Sequence, residues 1–368
     1  MSIETLIKVR SILNNYMKLK LTNWRCIENA TINLKQINIF FGKNSSGKSS
    51  VAYALYLLGK ISEEVDIDTC TRNLLGTELK GLVRVENGEK KYPLEVTLEC
   101  ERGKSSIILE SDTSEVVIKR HSTWSESHIA VAGRYGLLLA YQAIPEMIES
   151  AARKEASPEE KEVATKILYG FSAFIDVILK SPYLAPLPVF VTELLEASGI
   201  KYKPELREVG IGLYKFTPII FTPSTVLRYR DMINKELELP ARQAPSGVVD
   251  YSLIDLIVSK SANGSLIIVE EPEEHKNPLQ QIELMRRMVN LSKEKNLTLV
   301  LTTHSEIVIH AILKEVETGS LKNDAVKLYY FKRDDENPWT TVEEIGVHKD
   351  GSLEEPLLDF EEAVVQIF

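Results

Sequence analysis

One short stretch decides the fold of this chain: Gly42-Lys43-Asn44-Ser45-Ser46-Gly47-Lys48-Ser49. It fits in full the pattern Gly-x4-Gly-Lys-Ser/Thr, in which glycines let the backbone curl and turn successive N–H groups towards an anion. The run before it, Ile37 to Phe41, is β-branched and aromatic and predicts a strand. After it, apolar residues recur at helical spacing as far as Ile61. A glycine-rich loop between a strand and a helix is the context that a phosphate-binding loop requires.

The loop predicts a role for each polar side chain next to the phosphates. Lys48 supplies a mobile positive charge, which we expect to bridge the β- and γ-phosphate oxygens of ATP. The Ser49 hydroxyl is expected to complete the coordination of Mg2+. The positive end of the following helix adds to the attraction for phosphate. We therefore predict that ATP and Mg2+ bind at Gly42, Lys43, Asn44, Ser45, Ser46, Gly47, Lys48, Ser49 and Ser50.

Two adjacent carboxylates follow a second strand-like run, Leu266 to Val269. Glu270 and Glu271 stand where this strand ends, at the sheet edge where a doubly wound fold places its ligands. We assign Glu270 to Mg2+, through a water molecule, and Glu271 to the general base or the residue that orients the attacking water. Taken alone, the acidic run 270–274 is equally typical of a solvated turn. The phosphate loop elsewhere in the chain favours the functional interpretation.

Two further candidates follow from their positions after a strand and before a helix. His304 comes directly after the buried run Leu297 to Leu301, so we predict it at the same sheet edge, as a γ-phosphate sensor or water-positioning residue. Ser246 and Gly247 precede an apolar helix, Tyr251 to Val258, and a helix N-terminus attracts anions without metal or lysine. A lone histidine is more often structural, and a Pro-Ser-Gly turn is usually only a helix cap. These two predictions therefore depend on the rest of the site.

The remaining patterns predict an α/β fold with a mostly parallel core sheet. Short runs and turn signals such as Asn87-Gly88 predict a small antiparallel sheet, and the strand–helix–strand order from Leu266 to Leu301 predicts parallel strands with right-handed crossovers. From residue 128 the pattern is helical. We expect an N-terminal extension at 1–16, a phosphate-loop lobe with the antiparallel sheet at 17–127, a helical insertion at 128–204 and the rest of the same head at 205–368.

Composition bounds the class of protein. With 368 residues, 44% of them hydrophobic, the chain can bury one large core or two modest ones. The net charge of −9 predicts no general attraction to nucleic acid, although it does not exclude a local basic groove. Cys26, Cys70 and Cys100 lie too far apart for a zinc site or a disulfide framework. No signal peptide or membrane span is recognisable, so we expect a cytoplasmic protein without membrane contact, whose natural start is Met1 or Met17.

The order of these motifs resembles the ATP-binding heads of the RecF, SMC and ABC group. It is most similar to the prokaryotic AAA-like ATPases related to the overcoming-lysogenization-defect (OLD) family. The matching residues are Asn23-Trp24-Arg25, Ser246-Gly247, Glu270-Glu271-Pro272-Glu273 with His275 and Pro278, Thr303-His304-Ser305, and Asp350-Gly351-Ser352 with Phe360-Glu361-Glu362. The chain has no long heptad array and no Cys-x-x-Cys hook, so it resembles a stand-alone head.

The resemblance implies a P-loop NTPase head of the ABC type that closes as a homodimer around ATP. Ser246 and Gly247 of one subunit would then cap the γ-phosphate held by Lys48 of the other, and Arg25 would also contact the nucleotide. The sequence departs from the group in two places. Gln243-Ala244-Pro245 precedes the signature serine in place of a leucine-containing run, and Lys276-Asn277 replaces the usual leucine and histidine.

Two functions from different classes remain open. The first is an ATPase whose cycle acts as a switch on a partner protein, such as a nuclease or another effector, or on DNA. The second is a non-catalytic module in which ATP holds together a DNA repair or defence complex, and the altered signature favours it. A transporter ATPase is a weaker third reading. DNA contact is an expectation from the family, for which Arg228, Arg230 and Arg242 are candidates.

Overall fold

The computed structural model describes residues 17–136 apart from Arg102, and residues 205–209, 212–216, 227–231, 234, 236–240 and 243–357. The predicted N-terminal extension, residues 137–204 of the predicted insertion, Arg242 and residues 358–368 lie outside this part of the chain. No helix in the described ranges is long and apolar enough to cross a lipid bilayer.

The first half of the chain alternates strands with two α-helices. Its elements are β1 (Met17–Trp24), β2 (Ile27–Leu34), β3 (Ile37–Phe41), α1 (Lys48–Ser62), α2 (Ile67–Leu75), a 3-10 turn (Leu79–Leu82), β4 (Val85–Glu86), β5 (Glu89–Lys90), β6 (Leu94–Cys100), β7 (Gly103–Leu109), β8 (Val117–Lys119) and β9 (Ser127–Ala130). The second half continues with β10 (Glu205–Val209), β11 (Gly212–Phe216), β12 (Leu227–Asp231), β13 (Glu238–Pro240), α3 (Ser246–Lys260), β14 (Leu266–Glu270), α4 (Pro278–Lys295), β15 (Thr298–Thr303), α5 (Glu306–Glu317), a 3-10 turn (Asn323–Ala325), β16 (Val326–Lys332) and β17 (Thr341–Ile345).

A six-stranded sheet forms the core, in the order β17-β16-β3-β15-β14-β9. Neighbouring strands run parallel except at the edge pair β16 and β17, so the predicted mostly parallel sheet is confirmed. Every residue of β3, β14 and β15 is buried, which explains why their sequences are continuous apolar runs rather than alternating ones. The phosphate loop follows the central strand β3, and the paired carboxylates follow β14. Parallel pairing therefore brings both to the same edge of the sheet.

A second, five-stranded sheet in the order β2-β1-β6-β7-β8 is antiparallel throughout. In β1, buried and half-buried residues alternate, as expected for a strand with one face on a core. Helix α1 packs against β9, β14 and β15 of the core sheet and against β6 and β7 of this one, so it lies between the two sheets. The hairpin predicted at Asn87-Gly88 is formed by β4 and β5. The predicted small antiparallel sheet is thus confirmed.

The predicted start of the helical insertion at residue 128 is wrong. Residues 127–130 form the edge strand β9, which pairs in parallel with β14. All four of its residues are buried, and a run this short gives no periodicity that separates a strand from a helix. A third sheet, β10-β11-β12-β13, is antiparallel and was not predicted. Arg228 and Arg230, two of the candidates for DNA contact, lie on its strand β12.

Candidate functional site

The phosphate loop has the backbone conformation that its glycines predict. Gly47 immediately precedes α1 and has φ of 106°, in the left-handed half of conformational space. A Cβ atom at this position would lie 2.5 Å from Oγ1 of Thr340, so a side chain would also clash. The Lys48 side chain is buried, and its Nζ donates hydrogen bonds to the carbonyls of Gly42 (2.8 Å) and Lys43 (2.9 Å). The ammonium group is therefore held against the main chain of the loop.

An open cleft of about 720 Å³ adjoins this loop. It brings together residues from distant parts of the chain, namely Arg25, Cys26, Asn44, Ser45, Ser46, Gly47, Lys48, Ser49, Ser50, Val83, Val85, Glu271, Thr302, His304, Arg333 and Trp339. Most of the site residues predicted from sequence are among these lining residues. Gly42, Lys43, Glu270, Ser246 and Gly247 are not among the lining residues.

Arg25 lies in the cleft, in the turn between β1 and β2, with its backbone bonded to the 3-10 turn Leu79–Leu82. Its N–H donates to the carbonyl of Leu82 (2.8 Å), and its guanidinium carbon lies 5.4 Å from the centre of the Tyr53 ring. The Nη1 atom is buried and makes no hydrogen bond to any described residue. Because an unpaired buried donor is costly, a guanidinium of this kind fits an anionic ligand such as phosphate.

Glu270 lies at the end of β14 and is 2% exposed. Its Oε2 accepts hydrogen bonds from the Tyr53 hydroxyl (3.1 Å) and the Ala132 amide (3.4 Å). Burial raises the pKa of Tyr53 well above its ordinary value, and the Glu270 charge reinforces the shift, while a hydrogen bond with Ser49 opposes it. Ser49 and Glu270 thus both adjoin Tyr53. One hydroxyl and one carboxylate at this distance from a phosphate loop fit Mg2+, which takes few protein ligands and completes its shell with water and phosphate oxygens.

No group of three or more His, Cys, Asp or Glu side chains suited to a metal ion occurs among the described residues.

Glu271 and His304 lie next to each other in the cleft. Nε2 of His304 lies 4.0 Å from Oε1 of Glu271. Glu271 has φ of 44°, unusual for a residue with a side chain, and its N–H donates to the carbonyl of Thr302 (2.8 Å). Burial raises the pKa of Glu271 above its ordinary value, and the charges of Glu274, Glu273 and Glu270 raise it further, while Lys48 lowers it. A carboxyl group with a raised pKa is suited to accept a proton.

Glu273 positions His304 and was not predicted as a site residue. Its Oε1 accepts the backbone N–H of His304 (2.6 Å), and its Oε2 accepts the hydroxyl of Thr303 (2.9 Å). Burial raises the pKa of Glu273, and these hydrogen bonds oppose the shift. The sequence offered two signals, the acidic run 270–274 and the match of Glu273 to the related family, but neither indicated contact with His304. Trp339 and Arg333 were also missed, because they join the cleft from a segment far along the chain.

Ser246 and Gly247 form the first turn of α3, as predicted, but they do not line the cleft that holds Lys48. A Cβ atom on Gly247 would lie 2.4 Å from the carbonyl oxygen of His275, so this glycine permits a close approach between α3 and the turn that follows Glu271.

Two family profiles match the sequence. One, described as "AAA ATPase domain", matches residues 17–116. The other, described as "AAA domain, putative AbiEii toxin, Type IV TA system", matches residues 191–309. No curated protein matches the chain at a significant level.

Solved structures share the fold. An SMC head bound to the C-terminal winged-helix domain of ScpA aligns with a TM-score of 0.51 at 11% identity, over 90% of this chain and 98% of that one. The SMC head domain from Thermotoga maritima aligns with a TM-score of 0.46 at 13% identity, over 91% and 100% of the two chains. An SMC head with an extended coiled coil, bound to the C-terminal domain of ScpA derived from Pyrococcus furiosus, gives a TM-score of 0.48 at 13% identity, over 96% and 99%.

The chain has a P-loop NTPase fold similar to that of SMC heads. The chain matches AAA-type ATPase domain sequence in two segments, one with the phosphate loop and one with the paired carboxylates. The closer resemblance to the overcoming-lysogenization-defect family stays a prediction.

Proposed function

We propose that this chain binds Mg-ATP in the cleft beside Lys48 and hydrolyses it. The observation that carries the proposal is the meeting of Lys48, Arg25, Glu271 and His304 on one wall, although they lie on four separate segments. A single charged or polar residue often lies beside a phosphate loop by chance. Two cations, a carboxylate and an imidazole around a phosphate loop match the needs of phosphoryl transfer, which is mostly positioning and charge stabilisation.

Each group has a role that its surroundings support. Lys48 and Arg25 stabilise the negative charge on the transferred phosphoryl group. Ser49 and Glu270 would hold Mg2+, Glu270 through a water molecule, and the ion would supply positive charge beside the phosphate oxygens. Glu271 takes the proton of the attacking water, for which its raised pKa is suited. His304, 4.0 Å from Glu271, orients the same water or senses the γ-phosphate.

The active form is proposed to be a homodimer that closes around ATP. Ser246 and Gly247 begin α3, so their amides offer the positive end of a 15-residue helix to an anion. Neither residue lines the cleft of its own chain, which supports a role towards the nucleotide of a second subunit. Closure and reopening of this dimer would act as a switch on a partner protein or on DNA.

The replacements at Lys276 and Asn277 have structural explanations outside the cleft. Asn277 caps α4, since its side chain accepts the N–H of Gln280 while Gln280 bonds back to the Asn277 amide. Lys276 forms a buried ion pair with Asp250. Neither replacement removes a group from the cleft.

Phosphate release with Mg-ATP tests the proposal. Glu271→Gln should lower turnover by a factor of about 10² to 10³ while retaining ATP affinity, as expected for loss of one catalytic group. Glu78→Gln, the same change at an exposed carboxylate paired with Arg72, is the control and should match the wild type. Equal phosphate release by wild type and Glu271→Gln would exclude hydrolysis at this site.

The alternative is an ATP-gated binding module without turnover, favoured by Gln243-Ala244-Pro245 in place of the usual signature residues. Size-exclusion chromatography with and without ATP separates the two functions. Tight ATP-dependent dimers that release no phosphate would support the module. ATP-dependent dimers that dissociate as phosphate is released would support the ATPase.

A further inference from the structure

Three charged side chains are buried together between α3 and the turn that follows Glu271. Arg134 is 1% exposed, Asp250 0% and Lys276 7%. We call them the buried charge cluster. Asp250 lies one helical turn after Ser246 on α3, so it projects from the same side of the helix as the signature serine. The cluster takes no part in the roles proposed above for the cleft.

Arg134 connects the two sides of this cluster through its planar guanidinium group. Nη1 donates to the carbonyl of Glu270 (2.7 Å), and Nη2 donates to the carbonyl of Glu271 (3.0 Å). On the other side, Nε lies 2.7 Å from Oδ1 of Asp250, and Nη2 donates to Oδ2 (2.9 Å). One side chain thus contacts the main chain of both cleft carboxylates and, through Asp250, the signature helix.

A second set of contacts fixes the same turn to the same helix. Nζ of Lys276 pairs with Oδ2 of Asp250 and donates to the carbonyl of Glu274 (3.0 Å). The carbonyl of His275 is in close contact with Gly247. Burial is the main reason that the pKa of Lys276 is lowered to about 8, with Arg134 acting in the same direction and Asp250 opposing it. The turn 271–276 therefore has little freedom to move without the first turn of α3.

We propose that Arg134 is a positioning residue that transmits the placement of the signature helix to Glu271, so that Glu271 is aligned only when Ser246 and Gly247 are in place. This inference rests on the proposed ATPase function. Glu271 is held at a left-handed φ of 44° with its carbonyl on Arg134, so its side-chain direction depends on this anchor. A hydrogen bond tolerates only a few tenths of an ångström before it weakens, so a displacement of α3 is passed on to the turn.

The energetics favour a specific role over simple stabilisation. Burying ions costs free energy that their mutual attraction barely repays, and apolar replacements of buried ion clusters are often as stable. The cluster instead fixes the orientation of the turn 271–276 relative to α3, because the guanidinium group has its donors in a rigid plane. Such a fixed orientation matters for catalysis, since displacing a catalytic group by 1 Å can reduce a rate by about 10²-fold.

Arg134→Lys tests the link, because lysine keeps the charge beside Asp250 but lacks the planar set of donors. We expect kcat for ATP to fall by about 10²-fold, with KM and ATP affinity within about twofold of the wild type. Arg287→Lys is the matched control, since Nε of Arg287 pairs with Asp255 of the same helix at 3.0 Å and contacts neither Glu270 nor Glu271. The control should keep its kcat. If Arg134 had a merely structural role, Arg134→Lys would lower thermal stability but would not lower kcat while leaving KM unchanged.

Asp250→Asn approaches the same link from the helix side. Combined with Arg134→Lys, it should lower kcat no further than either single change, because both break one connection. Additive losses in the double variant would overturn the proposal, as would a folded Arg134→Lys protein with wild-type kcat.

Hydrogen exchange on the wild-type protein tests the link without any substitution. On addition of Mg2+ and a non-hydrolysable ATP analogue, amide protection should change together in the first turn of α3 and in residues 271–276. A change in only one of these segments would contradict the link. A wild-type protein that binds no Mg-ATP would instead contradict the proposed function itself. Failure of the Arg134 link and failure of the proposed function are therefore distinguishable.

Discussion

The Tyr53 hydroxyl donates a hydrogen bond of 3.1 Å to Oε2 of Glu270, and this contact joins the helix of the phosphate loop to the strand of the paired carboxylates. Tyr53 lies on α1, one and a half turns after Lys48, whereas Glu270 ends β14. Glu270 is 2% exposed, and its Oε2 also accepts the Ala132 amide at 3.4 Å. The phenol therefore supplies the shorter of the two hydrogen bonds to this carboxylate.

Tyr53→Phe should destabilise the protein without Mg-ATP and do so less when Mg-ATP is present. A hydrogen bond to a charged group contributes about 1.5–3 kcal/mol, and its loss leaves a buried carboxylate poorly paired. With nucleotide present, bound Mg2+ would supply the missing positive partner. Thermal unfolding with and without Mg-ATP measures the difference.

Tyr92→Phe is the control for this change. The Tyr92 hydroxyl donates to Asp112 at 2.9 Å, but that carboxylate is exposed, so the cost should stay below about 0.5 kcal/mol. If both variants were destabilised equally, or if Mg-ATP left the Tyr53→Phe deficit unchanged, Glu270 would not be the metal-side carboxylate.

The pH dependence of hydrolysis should reflect the raised pKa of Glu271. A general base acts only when deprotonated, so the rate falls as the pH drops through that pKa. Burial raises the pKa above its ordinary value, and so does the Glu274 charge. The acid limb of kcat/KM should therefore lie above the ordinary glutamate value of about 4.3. Glu274→Gln removes one like charge and should move this limb to lower pH.

An acid limb at or below the ordinary glutamate pKa would argue against Glu271 as the base. A limb that lies higher but does not respond to Glu274→Gln would assign the titration to a different group.

The local parts of the site were predictable from sequence, and the contacts between distant segments were not. The phosphate loop is a continuous run whose backbone conformation depends on its own glycines, so Gly42 to Ser49 could be placed at the start of a helix without further information. Glu271 and His304 were found because each directly follows a buried strand, and parallel strands end at one edge.

Arg134, Tyr53 and Trp339 carry no such signal. Arg134 contacts residues more than a hundred positions away in sequence, and nothing in its own neighbourhood indicates burial of a guanidinium group. The strand β9 was misread because a run of four residues is too short to show whether its periodicity is that of a helix or a strand. Pairing with β14 decides between them, and that pairing is a property of the assembled sheet.

Glu273 should control the rate through His304 without contacting nucleotide. Glu273→Ala removes the acceptor of the His304 amide and of the Thr303 hydroxyl, at a cost of about 1–3 kcal/mol for each group left unpaired. Turnover should fall while ATP affinity is retained. Glu273→Gln keeps one oxygen for the His304 amide and should retain most of the activity, as measured by phosphate release from both variants. Equal losses in the two would show that the charge of Glu273, not its acceptor, is required.

The apolar end of the cleft predicts where the base of the nucleotide binds. Trp339 lines the cleft beside Val85, which is 52% exposed, and Thr340 contacts Gly47 of the phosphate loop. The guanidinium carbon of Arg84 lies 4.3 Å from the centre of the Trp339 ring and is not among the lining groups. Arg84 is itself fixed by hydrogen bonds to Asn23 and Glu28. The indole is thus supported from behind, in the manner of a platform for stacking a purine.

Trp339→Ala should therefore weaken ATP binding by about 1–3 kcal/mol, the usual contribution of stacking a base on an aromatic ring. Inorganic tripolyphosphate should bind both proteins equally, since it uses only the loop around Lys48. Trp24 and Trp124 are buried, at 0% and 6% exposure, so quenching of tryptophan fluorescence by ATP should disappear in this variant and persist in Trp124→Phe. Equal weakening of ATP and tripolyphosphate would mean that Trp339 supports the loop and does not contact the base.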